Sequence, residues 1–336
     1  MNPFVLADCT TLDAALAQLS GSALPKTAVK AGGIDLLDRM KNGIAGPERL
    51  VNIRNIPTLR GLHETKDGVT LGPLMTLAEV SEHPLLREHY TALADAAGHA
   101  ATPHIRNMAT LGGNLLQHVQ CWYYRSPEYK CLRKGGEQCF AQEGQNQYHA
   151  IFDNGVSATI VASSTAIALV ALNASVELTS AQGKRTVPLS EFYIKPEVDP
   201  TKQNALAPDE LLTAVHIPRP AAGTRSAYQK YGEKESFDWP IADAAVVLQM
   251  HGDLCKNAVI VLGAAAPTPR RAKEAEALLA GKPITEATAR AAGKAAMQGA
   301  TPLAMNAYKL QLFPVAIYRT VLLAAGKMER DPGAVG

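Results

Sequence analysis

The pattern of apolar and polar positions along the chain predicts a mixed α+β protein. In the first part of the chain, apolar positions at helical spacing predict helices over residues 12–19 and 36–40. Short apolar runs predict strands before Gly32 and over residues 50–53. Helices and strands that alternate over so short a stretch are typical of a small α/β subdomain, which we place at about residues 1–60.

The rest of the chain divides at residues 220–224, a Pro-Ala-Ala-Gly-Thr segment in which proline and glycine end the preceding strand. Before this linker, a second subdomain is predicted over residues 61–220. It combines helical stretches such as 77–86 with strand-like runs at 174–178 and 211–217.

The two subdomains form a predicted first domain, residues 1–220, and a second domain is predicted over residues 224–328. The pattern of the second domain predicts strands at 242–250 and 258–264, and helices at 271–279, 284–298 and within 305–325. Pro314 should start or kink the last helix. Residues 329–336 are predicted to form a mobile tail.

Composition and charge narrow the class of protein. The chain has 336 residues, 47% of them hydrophobic, and a formal net charge of +2, which gives no reason to expect nucleic acid or an anionic membrane as partner. Apolar runs such as residues 166–172 are too short to cross a bilayer. The first 15 residues carry Asp8 and Asp13 and no basic segment. We therefore expect no signal peptide and a cytoplasmic chain, or export only together with a partner that bears a signal.

Two glycine-rich segments are the strongest candidates for a ligand site. Residues 105–115 run Ile-Arg-Asn-Met-Ala-Thr-Leu-Gly-Gly-Asn-Leu, and residues 29–36 run Val-Lys-Ala-Gly-Gly-Ile-Asp-Leu. Adjacent glycines permit positive φ and close ligand approach, so the backbone amides of each segment could hold phosphate oxygens. Two such segments suggest that the ligand contains a diphosphate. Neither segment has the Rossmann or P-loop spacing, and two ordinary glycine turns are the alternative interpretation.

Together the two segments resemble signatures of the flavin-binding medium chain of the molybdenum hydroxylases, the family of xanthine dehydrogenase, carbon monoxide dehydrogenase and bacterial aldehyde oxidoreductases. Ile34 stands in the threonine place of the first signature, and Leu111 in the isoleucine place of the second. Residues 210–218, 228–238 and 262–276 are similar to later family elements in the same order. The resemblance implies a two-subdomain, PCMH-like FAD-binding fold, followed by a C-terminal α/β domain with a small antiparallel sheet and helices.

The resemblance also implies which residues contact FAD. Leu212 matches an apolar side chain that the family places against the flavin ring, and Lys230 matches a lysine near the isoalloxazine. Where the family tends to have Ser-Asp, this chain has Ser163 and Ser164, so Ser164 takes that contact without a charge. The complete implied set is Lys30, Ala31, Gly32, Gly33, Ile34, Asp35, Leu36, Thr102, Arg106, Ala109, Thr110, Gly112, Gly113, Asn114, Ser164, Leu212 and Lys230.

Three of the five cysteines, Cys121, Cys131 and Cys139, lie in a loop over residues 118–157 that is rich in glycine, aromatic and basic residues. Cysteine thiolates are the usual ligands of iron–sulfur clusters, and nearby cations favour the thiolate form. The spacing is too wide for a zinc ribbon or finger. The loop resembles an insert of the aldehyde oxidoreductase branch, whose flavin subunit carries an added 4Fe-4S cluster. A related insert occurs in the hydroxybenzoyl-coenzyme A reductase branch.

Such subunits supply a fourth cysteine near the place where this chain has Ser157. Ser157 is the predicted fourth iron ligand, with Asp153, His149, water or another chain as alternatives. The competing interpretation is a relic loop whose cysteines are only small, partly buried side chains. Cys9 and Cys255 are distant in sequence and are interpreted as structural.

The resemblance implies an electron-transfer role. In the family, substrate is oxidised at a molybdenum cofactor on a large partner subunit, and a small partner with 2Fe-2S clusters passes electrons to FAD. We therefore expect the FAD subunit of a heterotrimeric molybdenum hydroxylase, of the aldehyde oxidoreductase branch, which delivers electrons to an external acceptor and contains no catalytic residue of its own. The alternatives are a self-sufficient flavin-dependent oxidoreductase that acts on its own substrate, and a non-flavin metal or scaffold protein.

Overall fold

The computed structural model describes residues 1–20, 26–233 and 237–330 of the chain. Ser236, part of one matched family element, and most of the predicted tail lie outside the described residues. Within the described part, no helix is long and apolar enough to cross a membrane.

The first subdomain is a parallel sheet flanked by helices. Its elements are β1 (Val5–Asp8), α1 (Leu12–Gln18), β2 (Thr27–Lys30), α2 (Ile34–Lys41) and β3 (Arg49–Asn52). β3 lies between β1 and β2 and pairs with both in parallel. Because successive strand residues point to opposite faces, Val51 packs with Leu16 on one face and Leu50 with Met40 on the other.

The second subdomain is an antiparallel sheet with helices packed against it. Its strands are β4 (Leu62–Thr65), β5 (Gly68–Leu71), β6 (Ser175–Ser180), β7 (Gly183–Pro188) and β8 (Leu211–Pro218), in the order β4-β5-β8-β6-β7. Its helices are α3 (Leu77–Glu82), α4 (Pro84–His89), α5 (Thr91–Gly98), α6 (Pro103–Arg106), α7 (Leu111–Leu115), α8 (Trp122–Arg125), α9 (Ser164–Ala171) and α10 (Leu189–Phe192). Short 3₁₀ turns occur at Pro57–Leu59 and Leu132–Lys134.

The single helix predicted over residues 77–86 is two helices, α3 and α4. Pro84 has no N–H to continue the hydrogen bonding of α3, and it occupies the first position of α4 instead. A capping box between Thr76 and Glu79 fixes the start of α3. The core between this layer and the sheet contains Leu93 and Ile167 among its buried side chains.

The C-terminal domain is a second antiparallel sheet covered by helices. Its elements are β9 (Thr224–Tyr231), β10 (Ala242–His251), β11 (Leu254–Gly263), β12 (Arg270–Arg271), α11 (Lys273–Leu279), β13 (Lys282–Pro283), α12 (Glu286–Ala295) and α13 (Lys309–Ala324). Pro314 lies inside α13 and does not start it. Gly293 of α12 approaches it closely, since a Cβ there would lie 2.5 Å from the Pro314 carbonyl oxygen. The architecture confirms the predicted fold class.

Candidate functional site

A cleft of about 560 Å³ is lined by residues of both subdomains and of the C-terminal domain. Its volume is in the range of sites that hold a large organic cofactor. From the set implied by the family resemblance, the wall of the cleft includes Lys30, Ala31, Gly32, Gly33, Ile34, Asp35, Leu36, Thr102, Ala109, Thr110, Gly112, Gly113, Asn114, Ser164, Leu212 and Lys230. The structure therefore brings residues from widely separated parts of the chain to one cleft.

Arg106 belongs to the implied set but lies behind the wall of the cleft. It is 8% exposed, and its Nη1 donates to the carbonyl oxygens of Ala100 and Ala101 at 3.2 and 2.8 Å. Ala101 lines the cleft with a φ of 48°, which is uncommon for a residue with a Cβ. Arg106 therefore holds this turn in place, a role that the sequence did not suggest.

The first glycine segment presents unpaired backbone amides to the cleft. Gly33, with a φ of 82°, is the N-cap of α2, in a left-handed conformation that favours glycine. The first amides of a helix have no intrahelical acceptor, and those of residues 32–36 have no other acceptor in the described part of the chain. Together with the positive end of the helix dipole, these amides are suited to binding a phosphate group.

Lys30 adds a positive charge beside these amides. Its Nζ lies 3.4 Å from Asn52 Oδ1, at the carboxyl ends of the parallel strands. Burial, together with the nearby Arg54, lowers the pKa of the Lys30 ammonium. A bound phosphate would reverse part of this shift, because an opposite charge favours the charged form.

The second glycine segment differs from the amide cradle that its sequence predicts. Gly112 and Gly113 lie in α7, and neither has a positive φ. The Gly112 amide donates to the Pro73 carbonyl at 2.8 Å, and the Gly113 amide donates to Thr110 Oγ1 at 3.1 Å. Protein oxygens accept from both amides in this structure, so the contact of Gly112 and Gly113 with FAD stays a prediction. Glycine is needed here for packing, since a Cβ at Gly112 would lie 2.8 Å from the Pro73 Cβ.

Gly32 joins the two glycine segments. A Cβ at Gly32 would lie 2.0 Å from the carbonyl oxygen of Met108, a separation that no side chain tolerates. The turn that carries the unpaired amides therefore rests directly on the backbone of the second segment. The second segment therefore supports the unpaired amides of the first.

The other end of the cleft combines an apolar wall with an ammonium group. Leu212 of β8 is 4% exposed and lies beside a bulge in the pairing of β6 with β8. Lys230 of β9 donates to the carbonyl oxygens of His99 and Asp238 at 2.7 and 3.0 Å. Burial lowers the pKa of Lys230, although nearby carboxylates oppose this. A planar ring on Leu212 would therefore meet a fixed positive charge.

Phe237 and Trp239 also line the cleft, and sequence reasoning did not identify them as contacts. They are 51% and 52% exposed. A usable signal was present, because one of the two tryptophans of the chain stands directly after a matched family element. Large exposed aromatic side chains at the mouth of a cleft are suited to stacking on a flat ligand.

All four predicted iron ligands line a second, very small cavity, which we call the cysteine cavity. Its volume is about 10 Å³, close to that of one water molecule. Cys121, Cys131, Cys139 and Ser157 contribute to its wall. The amide of Ala158 donates to Cys139 Sγ at 3.4 Å. The structure therefore brings together donors that are spread over the whole loop.

Burial favours the protonated form of two thiols of the cysteine cavity, those of Cys121 and Cys131. Burial raises the pKa of Cys121 to about 12, and it also raises the pKa of Cys131. His149, an alternative ligand, has its Nε2 3.2 Å from Cys121 Sγ. Burial and the nearby Lys309 lower the pKa of His149 to about 4, so its imidazole is neutral. Asp153, another alternative, instead pairs with Lys195 at 3.4 Å.

No three His, Cys, Asp or Glu side chains in the described part of the chain are placed to hold a single metal ion. A single zinc ion needs all of its donors within about 2.3 Å. A 4Fe-4S cluster imposes a different requirement, because each thiolate binds a separate iron. The donor set of the cysteine cavity suits a cluster in chemistry, and the cavity would have to widen to admit one.

An ion-pair network connects the cysteine loop to the first glycine segment. Arg125 pairs with Asp35 and with Asp38, and its guanidinium also donates to the His118 carbonyl at 2.9 Å. Burial would raise the pKa of Asp35, but Arg125, with help from Arg39, holds that pKa below its usual value. The Asp35 carboxylate is thus paired with both arginines, and its pair with Arg125 holds the cysteine loop against α2.

The far end of the loop is anchored in the C-terminal domain. Ile151 and Phe152 belong to the core of that domain, and their amides donate to the Ala265 carbonyl at 2.9 and 3.0 Å. The Asn154 side chain donates to the Thr301 carbonyl at 2.8 Å. The loop therefore contacts both the N-terminal subdomain and the C-terminal domain.

Comparison with known proteins gives matches along almost the whole chain. Residues 3–220 match the family described as "FAD binding domain in molybdopterin dehydrogenase", and residues 226–324 match "CO dehydrogenase flavoprotein C-terminal domain". The aldehyde oxidoreductase FAD-binding subunit PaoB of Escherichia coli is 32% identical over 301 residues, 88% of this chain and 91% of that protein. The carbon monoxide dehydrogenase medium chain of Hydrogenophaga pseudoflava is 28% identical over 80% of this chain and 77% of its own length.

The fold agrees with solved structures. A chain of carbon monoxide dehydrogenase from Hydrogenophaga pseudoflava superposes with a TM-score of 0.75 at 27% identity, over 98% of this chain and 99% of that one. The similarity thus extends over both domains.

Proposed function

Since this chain belongs to the family of FAD-binding subunits of molybdenum hydroxylases, which are oxidoreductases, we propose that it is the electron outlet of a heterotrimeric aldehyde oxidoreductase. Electrons would reach it from the 2Fe-2S clusters of a small partner, after substrate oxidation at the molybdenum cofactor of a large partner. They would leave to an external acceptor. The relationship to PaoB supports the choice of branch.

The observation that carries the proposal is the row of unpaired amides at residues 32–36, which opens onto a cleft of about 560 Å³. These amides and Lys30 fit the diphosphate of FAD. Leu212 would exclude water from one face of the ring, and Lys230 would place a positive charge near it. Bound FAD supplies chemistry that accepts electrons singly and in pairs. The positive charge of Lys230 would stabilise negative charge on the reduced ring.

We further propose that Cys121, Cys131, Cys139 and Ser157 hold a 4Fe-4S cluster. Two observations support it: all four side chains line one cavity, and an amide donates to Cys139 Sγ. Hydrogen bonds to cluster sulfurs are a usual means of tuning such sites. Iron would have to displace protons from thiols whose pKa is raised by burial, so cluster binding would strengthen as pH rises.

The test is anaerobic purification of the complex with its co-expressed partners, followed by iron, molybdenum and flavin quantification. About eight irons per trimer would support the extra cluster, since two 2Fe-2S clusters account for about four. About four irons with full FAD would support the electron-outlet proposal and contradict the 4Fe-4S proposal, by the same cluster stoichiometry. Absence of FAD would contradict the central proposal. Bleaching of the flavin by substrate in the isolated subunit would favour a self-sufficient oxidoreductase instead.

A further inference from the structure

A buried row of polar side chains runs from the cleft into the C-terminal domain. Ser164 lines the cleft, and its side chain interacts with that of Tyr228. The Tyr228 hydroxyl in turn donates to Asp243 Oδ2 at 2.9 Å. Tyr228 and Asp243 are each 1% exposed. The row therefore connects the cleft with a carboxyl group that bulk solvent does not reach.

The fold places Asp243 directly behind the wall of the cleft. In the antiparallel pairing of β9 with β10, Asp243 is opposite Lys230, which lines the cleft. Side chains at opposite positions share a face, with their Cβ atoms about 5 Å apart. On its other side Asp243 is opposite Gly263, where a Cβ would lie 2.4 Å from both carboxyl oxygens. Glycine at position 263 thus leaves the space that the carboxyl group fills.

The Asp243 carboxyl group has spare capacity to bind a proton. Its Oδ1 has no hydrogen-bond partner in the described part of the chain. Burial raises the pKa of Asp243 to about 6, although the Tyr228 hydroxyl and two lysines act in the opposite direction. An acid with such a pKa gains and loses its proton near neutral pH, as proton-transfer groups do.

Charged groups from neighbouring elements surround this row. Lys230 of β9 and Lys309 of α13 both act on the Asp243 carboxyl group. Lys309 is fully buried, and burial lowers its pKa to about 7. On α5, Asp95 accepts from the amide of Tyr228 at 3.4 Å and pairs with Arg330. The two ammonium groups stabilise the carboxylate that remains when Asp243 gives up its proton.

We propose that Asp243, Tyr228 and Ser164 form a relay that moves a proton between the cleft and the buried carboxyl group when bound FAD gains or loses electrons. The relay rests on the proposed function, because it requires FAD in the cleft. Complete reduction of the flavin ring takes up two electrons and at least one proton, and reoxidation releases them.

Each transfer in the relay balances. On reoxidation the released proton binds Ser164 Oγ, the proton of Ser164 passes to Tyr228, and that of Tyr228 passes to Asp243 Oδ2. Reduction reverses the three transfers. The electron pair comes from the partner clusters and leaves to the external acceptor, so the relay itself carries only the proton.

The experiment uses the complete complex with FAD bound, as wild type, Asp243→Asn and Tyr228→Phe. Glu276→Gln is the matched control, because Glu276 is a buried carboxylate of the same domain that pairs with Arg271 and does not line the cleft. Infrared difference spectra between oxidised and reduced complex should contain a carboxylic-acid band in the wild type. The band should vanish in Asp243→Asn and persist in Glu276→Gln.

Tyr228→Phe keeps the carboxyl group but interrupts the relay. We expect flavin reduction by dithionite to slow about 100-fold in this variant, the lower range for a lost proton-transfer group, and to lose its inflection near pH 6. Unchanged spectra in Asp243→Asn, or unchanged rates in Tyr228→Phe with full FAD, would overturn the relay. Loss of FAD from both variants would assign the row a structural role and overturn it too. A wild-type complex without FAD would instead contradict the proposed function.

Discussion

The cleft is lined by backbone amides and apolar side chains, whereas the cysteine cavity is lined by buried thiols. The cleft has a volume of about 560 Å³, and the cysteine cavity has a volume of about 10 Å³. The amides of the cleft are fixed by the start of α2. Neutral thiols do not repel one another as thiolates would, and they pack like small apolar groups. The cleft is therefore already wide enough for the proposed cofactor, whereas the cysteine cavity would have to widen to hold the proposed cluster.

The largest expected effect comes from separating the two glycine segments that form the wall of the cleft. Gly32→Ala puts a Cβ 2.0 Å from the Met108 carbonyl oxygen, so the two glycine segments must separate. We expect the complex to lose its FAD and the chain to lose about 3 kcal/mol of unfolding free energy. Flavin absorbance and urea denaturation measure both. Gly155→Ala is the control, because nothing lies within 4 Å of its Cβ position. Full FAD in Gly32→Ala would contradict the preformed site.

The next effect separates the two sites. Cys131→Ala removes a thiol from the cysteine cavity without touching the cleft. We expect iron to fall from about eight to about four per trimer, with FAD unchanged, because the two 2Fe-2S clusters of the proposed complex would lie on a partner. The control is Cys255→Ala, which removes a buried cysteine remote from the cavity. Equal iron content in both variants would favour the relic loop.

Arg125→Leu tests the connection between the sites. The pair with Asp35 is largely buried, with 12% and 16% side-chain exposure. Its loss should cost about 2 kcal/mol of unfolding free energy at pH 7, the range for a hydrogen bond to a charged group. The exposed pair of Arg290 with Glu286 provides the control, since Arg290→Leu should change stability very little.

The same variant should change the pH dependence of stability. The folded-state pKa of Asp35 is lowered, so its contribution is present above the unfolded value and disappears as pH falls through the folded value. Without Arg125, the free energy of unfolding should decrease less steeply as pH falls. Urea denaturation at several pH values between about 3 and 7 measures it, around the unfolded Asp pKa of about 3.9. A wild-type slope that persists in Arg125→Leu would assign the lowered pKa to another partner.

The smallest expected effect concerns the fourth ligand. Ser157→Cys replaces a hydroxyl by a thiolate, a better ligand for iron in clusters, and should slow iron loss roughly tenfold. Ser157→Ala should speed the loss. Iron release to a chelator, followed at two pH values, distinguishes these outcomes, and release should be faster at the lower pH. Equal rates in all three proteins would exclude Ser157 as a ligand.

Local signals in the sequence were sufficient for much of this structure. The helices at Leu12–Gln18 and Lys273–Leu279 follow from apolar spacing, and their positions agree with prediction. The hairpin of β4 and β5 was missed, because Leu62–Thr65 is mostly exposed and carries no apolar alternation. Its register is set by contact with β8, far along the chain.

The site shows the same limit. Composition identified the glycine segments and the cysteines, but the amides of Gly112 and Gly113 are used by Pro73 and Thr110. That assignment depends on tertiary packing, which composition does not encode. The row from Ser164 to Asp243 could not be predicted from the sequence either, because its members come from α9, β9 and β10. Tyr228 and Asp243 meet only through the pairing of β9 with β10.

The anchoring of the cysteine loop sets an order of events during biosynthesis. The Asn154 side chain bonds a carbonyl 147 residues further along the chain, and Ile151 accepts the amide of Thr301 at 2.7 Å. Contacts this distant form only after nearly all of the polypeptide has been synthesised. The cleft, by contrast, draws its phosphate site from the first 40 residues. The proposed phosphate site, which also needs support from Met108, would still form earlier than the cysteine cavity. Assembly of the proposed cluster would be among the last steps of maturation and would be the first to fail when the C-terminal domain is damaged.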